Sequence, residues 1–188
     1  GTTGATGTFG LSGVIAGDAV SADGTYAFAD KNAATGKTVT ASGVALSGAD
    51  AANYDLDPVA ATTADIYQKA LTGALTANDK TYDGTTTATG SIGLTGVIAG
   101  DAVSAGGTYA FADKNAGAGK TVTATGVVLS GTDSGNYVLS SVATAQADIL
   151  RKAITGALTA SDKTYDGTTT AAGSISLTGV IAGDVVTA

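Results

Sequence analysis

The sequence predicts an all-β fold built as a tandem array, and three observations carry that prediction. First, Asn78-Asp79-Lys80-Thr81-Tyr82-Asp83-Gly84-Thr85-Thr86-Thr87 returns almost unchanged from Ser161 to Thr170, 83 residues later. A second marker, Gly13-Val14-Ile15-Ala16-Gly17-Asp18, returns at the same offset as Gly96 to Asp101 and again as Gly179 to Asp184. Second, short stretches alternate apolar and polar residues with period two, and helical periodicity is sustained nowhere. Third, the chain holds 28 glycines, each costing a helix ~1 kcal/mol against alanine, and Asn, Asp and Gly turn dipeptides punctuate the stretches.

The period divides the chain into a first repeat at 1–67, a complete repeat at 68–150 and the start of a third at 151–188. Gly1 matches Gly84, so the first repeat reads as one without its opening strand, and the chain as a window on a longer array. In the complete repeat, Ala70–Thr76 alternates Leu71, Gly73 and Leu75 with Thr72, Ala74 and Thr76. Asn78-Asp79 and Asp83-Gly84 are turns, since these residues accept the backbone angles that tight turns need. Thr85–Leu94 is extended and Ala99-Gly100-Asp101 turns the chain. Thr108–Ala112 sets Tyr109 and Phe111 on one face. A loop at Asp113–Gly119 leads into the β-branched run Lys120–Leu129, with Gly126 as a bulge or bend. After a loop at Ser130–Gly135 come Tyr137–Leu139 and Ala143–Ile149, the latter alternating Ala145, Ala147 and Ile149 with Gln146 and Asp148.

Six or seven short strands at regular spacing suit a small Ig-like β-sandwich, with a β-grasp-like unit as the alternative. Asp133-Ser134-Gly135-Asn136-Tyr137 has the D-x-G-x-Y form of a tyrosine corner, in which the hydroxyl bonds nearby backbone. The connectors Tyr67-Gln68-Lys69-Ala70 and Leu150-Arg151-Lys152-Ala153 contain no Gly, Ser or Pro. Such short connectors limit hinge freedom and predict a semi-rigid rod. Lys69, Arg151 and Lys152 either pair with Asp of a neighbouring repeat or keep an exposed connector soluble. The exchange of Tyr67 for Leu150 suggests an apolar contact at the junction.

Net charge is −7, and all sixteen acids are Asp. Without a basic cluster there is no nucleic-acid footprint, and no apolar run is long enough to span a membrane. Cysteine is absent, which excludes a disulfide framework; with the Gly/Thr/Ala/Ser/Asp bias it suits an exported array. No His, Cys or Glu occurs, so the common general bases and nucleophile partners are missing and no enzyme is expected. Calcium is the better chemical candidate. It takes six to eight oxygens, and Asp79, Asp83, Asp101, Asp113 and Asp133 are its candidate ligands. Against it, EF-hand and nonapeptide spacings are lacking, and Asp in turns commonly bonds its own backbone. An isopeptide bond would draw on Lys80 with Asn136 or Asp148. The tyrosines recur in register as Tyr26/Tyr109, Tyr54/Tyr137 and Tyr82/Tyr165. They serve either as core residues with satisfied hydroxyls or as platforms for glycans. The Thr-rich strands read as ordinary solvent-facing β-surface.

Lys80-Thr81-Tyr82-Asp83-Gly84-Thr85-Thr86 is followed by Leu94 to Asp101, Tyr109 to Asp113, Gly119 to Val122 and Leu129 to Tyr137. This ordered set of motifs resembles the YDG repeat of large bacterial surface proteins, often filamentous-haemagglutinin-like adhesins. The resemblance covers the whole chain. It implies an extracellular, cell-surface location and a structural role as a stalk or fibre, with Tyr82, Gly84, Tyr137, Tyr165 and Gly167 as structural residues. It supplies no catalytic residues and no cofactor. Its partners would be neighbouring repeats. Two rivals stand beside the spacer: a multivalent glycan- or receptor-binding module, and a filament in which a second copy donates a strand like Lys152–Lys163.

Overall fold

The structure, a computed structural model, describes residues 2–188. Gly1, the expected match of Gly84, lies outside the described residues. The fold is all-β, with 51% of residues in strands and, among the described residues, only two three-residue 3₁₀ turns, Ala51–Asn53 and Ser134–Asn136. The β-grasp alternative is thereby left without the helix such a unit packs on its sheet.

The first repeat holds β1 (Gly4–Ala5), β2 (Ser21–Phe28), β3 (Ala34–Ser47) and β4 (Thr62–Ile66), paired in that order in one sheet. The second holds β5 (Lys69–Ala77), β6 (Lys80–Thr81), β7 (Thr87–Ala88), β8 (Gly90–Thr95), β9 (Ser104–Phe111), β10 (Gly117–Ser130), β11 (Tyr137–Ala143) and β12 (Ala145–Leu150). The third contributes the hairpin of β13 (Thr155–Ala160) and β14 (Gly173–Thr178). Four strands recur: β1, β2, β3 and β4 stand where β7, β9, β10 and β12 stand one period later, whereas the positions of β8 and β11 are not strands in the first repeat.

The strands of the second repeat are ordered β11-β5-β8-β9-β10-β12-β6, with β7 paired to β9. β5 and β6 are far apart in that order, yet only Asn78 and Asp79 separate them in sequence. A link that short spans at most ~11 Å from Ala77 to Lys80, so the sheet curls until its β6 edge returns to β5. β6 closes the edge by pairing parallel to β12, Lys80 opposite Ile149. Asp79 fastens the turn by accepting the Asp148 N–H at 2.7 Å.

The curl encloses Leu75, Ala88, Phe111, Val122, Ala147 and Ile149, with Tyr82, Ile92, Tyr109 and Val142 packed around them. Period two sorts the side chains. Leu71, Gly73 and Leu75 of β5 are buried between exposed neighbours, and Ala147 and Ile149 of β12 are buried between exposed Gln146, half-buried Asp148 and exposed Leu150. Each large side chain removed from water contributes ~1.5–3 kcal/mol, and few are available, so the core is thin.

Some boundaries differ from expectation. Thr89 splits the Thr-rich stretch into β7 and β8. β10 begins at Gly117, inside the expected loop, because Gly117 pairs with Ile149 across a register shift. Gly126 has φ +60°; in the first repeat its copy Gly43 lies where the β2–β3 register slips between Asp23 and Thr25.

Contacts group the chain into two compact units. One gathers residues up to Thr72 with Leu94–Ala105 and Leu129–Ser141; the other gathers Gly73–Gly93, Gly106–Val128 and Val142–Ala188. The dividing line crosses the second repeat. The first connector, 67–70, falls inside the first unit and the second, 150–153, inside the second.

Candidate functional site: the junction between repeats

Three local devices, each dictated by a short motif, meet where one repeat follows another. The first is the loop of Lys80 to Thr85. The Lys80 ammonium donates to Asp83 Oδ1 at 2.8 Å, and to the Thr85 and Thr87 carbonyls at 2.8 and 3.0 Å. It also lies 5.6 Å from the Phe111 ring centroid. Asp83 Oδ1 in turn accepts the Thr85 N–H and hydroxyl, both at 2.9 Å. The Lys80 ammonium, then the Thr85 donors, lower the Asp83 pKa from 3.8 to about 2. The tightened loop places Gly84 at φ +79° and holds Tyr82 beside it. The third repeat builds the same loop: Lys163 donates to Asp166 at 2.9 Å and to the Thr168 carbonyl at 2.8 Å, with Gly167 at φ +75°.

The second device is the turn Ile98-Ala99-Gly100-Asp101, closed by Asp101 N–H to the Ile98 carbonyl at 3.0 Å. Gly100, at φ +92°, takes the position where such a turn needs the left-handed region. Tyr137, 3% exposed, clamps this turn. Its hydroxyl accepts the Ile98 N–H at 3.1 Å and donates to Asp101 Oδ2 at 2.6 Å. Asp133 adds a second tie by accepting the Ala102 N–H at 2.9 Å. The first repeat repeats the clamp: Tyr54 accepts from Ile15 at 3.0 Å and donates to Asp18 at 2.5 Å, and Asp50 accepts from Ala19 at 2.8 Å. The expected tyrosine corner is corrected accordingly, because the hydroxyl reaches residues 39 and 36 positions upstream rather than nearby backbone.

The third device is the loop between β2 and β3, and its copy between β9 and β10. Asp30 accepts the Asn32 N–H at 2.8 Å and the ammonium of buried Lys37. Asp113 does the same with Asn115 and Lys120. Each loop thereby presents the intervening lysine, Lys31 or Lys114, outward.

At the first junction, Lys31 of the first repeat donates to Asp101 Oδ1 at 3.3 Å and lies 3.6 Å from Asp133. Asn136 Oδ1 accepts the Ala33 N–H at 2.8 Å, and Gln68 Nε2 donates to the Gly135 carbonyl at 2.9 Å. At the second junction, Lys114 lies 3.6 Å from Asp184, the copy of the Lys31–Asp101 pair. There the Tyr82 hydroxyl donates to Asp184 Oδ2 at 2.7 Å. A Cβ on Gly84 would stand 2.9 Å from Ile181 Cγ2. The two sequence markers thus dock on one another, the Tyr-Asp-Gly loop of one repeat against the Ile-Ala-Gly-Asp turn of the next.

The side chain of Asp101 is only 8% exposed. The Tyr137 hydroxyl, assisted by Lys31, holds its pKa below the ordinary 3.8. The Lys31 pKa is raised, first by Asp101. Those of Tyr54 and Tyr82 are raised by the carboxylates of Asp18 and Asp184, and that of Tyr137 by burial and then by Asp101.

Of the five candidate calcium ligands only Asp101 and Asp133 come together, and they do so around the Lys31 ammonium. Asp79 holds the Asp148 N–H, Asp83 its own loop, Asp101 the Tyr137 and Lys31 groups, Asp113 its hairpin and Asp133 the Ala102 N–H. Among the described residues no three acidic side chains are placed to share a metal ion. Lys80 and Asn136 are occupied as above, and Asp148 accepts the Gly119 N–H at 2.7 Å.

Of the two readings of Lys69, Arg151 and Lys152, the exposed connector is the one that fits: among the described residues they form no salt bridge, and the inter-repeat pairs come from Lys31 and Lys114, whose hairpins aim them across. The apolar junction contact is corrected, since Tyr67, 80% exposed, and Leu150 are both largely in solvent. Tyr165, the copy of Tyr82, is 94% exposed, whereas Tyr82 packs against the core of its repeat and donates to Asp184 of the docked turn. Tyr26 stacks on Phe9 at 4.9 Å between ring centroids. Lys31 and Lys114 escaped the sequence reading. The signal was there, since both copies keep Asp-Lys-Asn-Ala while the connectors differ.

The fold and junctions define a repetitive all-β chain whose signature residues serve docking. A family model, the YDG domain, matches residues 1–64 and 67–146. The chain belongs to the YDG domain family. No curated protein and no solved structure matches it.

Proposed function

We propose that this chain is a spacer segment of a large bacterial surface adhesin, each repeat an Ig-like sandwich that adds length to an extracellular stalk. The observation that carries this reading is the periodic latch. Lys31–Asp101 and Lys114–Asp184 span both junctions at the same offset, so each junction carries the same tie. Interfaces of this kind couple neighbours in sequence, as in other repeat proteins. The work is mechanical: loop, turn and clamp are built inside each repeat, and docking joins them. The reading assigns no catalytic residue and calls on no cofactor. The tyrosines repeated at Tyr54, Tyr82 and Tyr137 give their hydroxyls to Asp, which favours the spacer over a tyrosine glycan platform.

Small-angle X-ray scattering of this chain, and of one extended by a further 83-residue repeat, tests the reading. A maximum dimension that grows by a fixed step and ignores a calcium chelator supports it. A dimension that grows as for flexibly linked beads overturns it.

A further inference from the structure

We propose that each junction also binds a carboxylated sugar unit of an anionic polysaccharide, through the cations of the connectors. The inference goes beyond the spacer reading and does not rest on it. Of nine Lys and Arg residues, Lys31, Lys37, Lys80, Lys114, Lys120 and Lys163 each have a carboxylate within salt-bridge distance. Among the described residues the remaining three are Lys69, Arg151 and Lys152, all exposed and all in the connectors. In a chain with sixteen Asp and a net charge of −7, unpaired cations are the exception, and they gather at one place in the repeat.

That place is a recurring cavity. At the first junction it measures about 150 Å³ and includes Ala33, Tyr67, Lys69, Ile98 and Asp101. At the second it measures about 250 Å³ and includes Ala116, Arg151, Lys152, Ile181 and Asp184. Four wall positions are copies: Ala33/Ala116, Lys69/Lys152, Ile98/Ile181 and Asp101/Asp184. Each cavity thus combines an apolar wall, a carboxylate and a rim cation. A pyranose ring carries the complementary set: a C–H face for Ile and Ala and a carboxylate for Lys or Arg. The volumes suit one sugar rather than a large ligand. One or two cations per repeat, ringed by Asp, cannot offset the dense phosphates of a nucleic acid. They match a polymer whose carboxylates are spaced by neutral sugars. Each site is weak, and repetition along the array supplies avidity.

The test is an NMR titration of the ¹⁵N-labelled chain with a hyaluronan octasaccharide at low salt. Maltooctaose and a single-stranded DNA octamer serve as comparators. Expected are shifts at both connectors and cavity walls at millimolar hyaluronan, with none from maltooctaose and weaker ones from DNA. The triple variant Lys69→Gln, Arg151→Gln, Lys152→Gln alters only exposed side chains and is expected to keep its spectrum. It should lose about tenfold in affinity, the loss expected for charge-assisted hydrogen bonds. Absence of shifts, equal shifts from maltooctaose, equal or tighter binding of DNA, or unchanged affinity of the triple variant would each overturn the proposal.

Discussion

At the scale of single residues, five carboxylates with lowered pKa and three tyrosines with raised pKa fix opposite ends of a pH profile. Asp30, Asp83, Asp101, Asp113 and Asp166 are all held below 3.8, chiefly by Lys hydrogen bonds and, for Asp101, by Tyr137. The folded state therefore binds fewer protons than the unfolded one in acid. Their contribution is complete above pH ~4 and is lost as pH falls toward the folded values, about 2 for Asp83. Tyr54, Tyr82 and Tyr137 are raised above 10.0. Their contribution is complete below that value and is lost as pH rises through the folded pKa. Urea unfolding from pH 2 to 11 is expected to give a plateau with a falling limb on each side; a maximum near the acidic isoelectric point instead would contradict this. Asp101→Asn keeps the Tyr137 bond in shape but removes the charge facing Lys31. It is expected to lower stability at neutral pH and flatten the acid limb. Lys31→Met should flatten that limb less, because the Tyr137 bond stays.

At the scale of elements, glycine supplies a control within the molecule. Gly84 and Gly167 share the same loop and nearly the same φ, +79° and +75°. A Cβ on Gly84 would meet Ile181, whereas one on Gly167 would meet nothing within 4 Å. Gly167→Ala is expected to cost only the left-handed strain, ~1 kcal/mol. Gly84→Ala adds overpacking of the docked turn and is expected to cost ~2–3 kcal/mol. A loss for Gly84→Ala in chemical denaturation no larger than the left-handed strain, ~1 kcal/mol, would mean that the loop does not bear on the turn. The loop itself was legible in sequence, because Asp83-Gly84 is a local turn signal. So were the strands around Leu71, Tyr109 and Ile149, whose alternation is written along each segment. The docking was not legible. Tyr82 and Asp184 stand 102 residues apart, and markers present in every repeat do not reveal whether they meet inside a repeat or across two. The connector cations drew attention because they interrupt an acidic chain. The lysines that make the pairs lie in loops, and only the hairpin geometry gives them direction. The curl of the second sheet was hidden for a similar reason, since β6 is two residues long and its parallel pairing with β12 has no sequence pattern.

At the scale of the whole molecule, the junctions decide how stability is shared. In a nearest-neighbour array, each repeat contributes an intrinsic term and each interface a coupling term. The third repeat exposes this division most clearly. Its hairpin of β13 and β14 is exposed almost throughout, and a two-stranded hairpin is marginal in water by itself. The turn at Ile181 to Asp184, closed by its own Asp184 N–H and tied to Tyr82 and Lys114, is therefore expected to take its order from those ties. Native-state hydrogen exchange is expected to grade accordingly. β10 and β12, around Val122 and Ile149, exchange by global unfolding, and the hairpin by local opening of much lower free energy. The double variant Tyr82→Phe, Lys114→Met removes both polar ties to Asp184 and leaves the clamp of Tyr137 on Asp101 untouched. It should speed exchange at Asp184 N–H and along β14, and barely change β10 or the turn at Ile98 to Asp101. Equal acceleration in both places would mean that the variant weakens the second repeat as a whole. No acceleration at Asp184 would mean that the turn is ordered from within, and the Tyr-Asp-Gly loop would then lose its role as the docking surface for the next repeat.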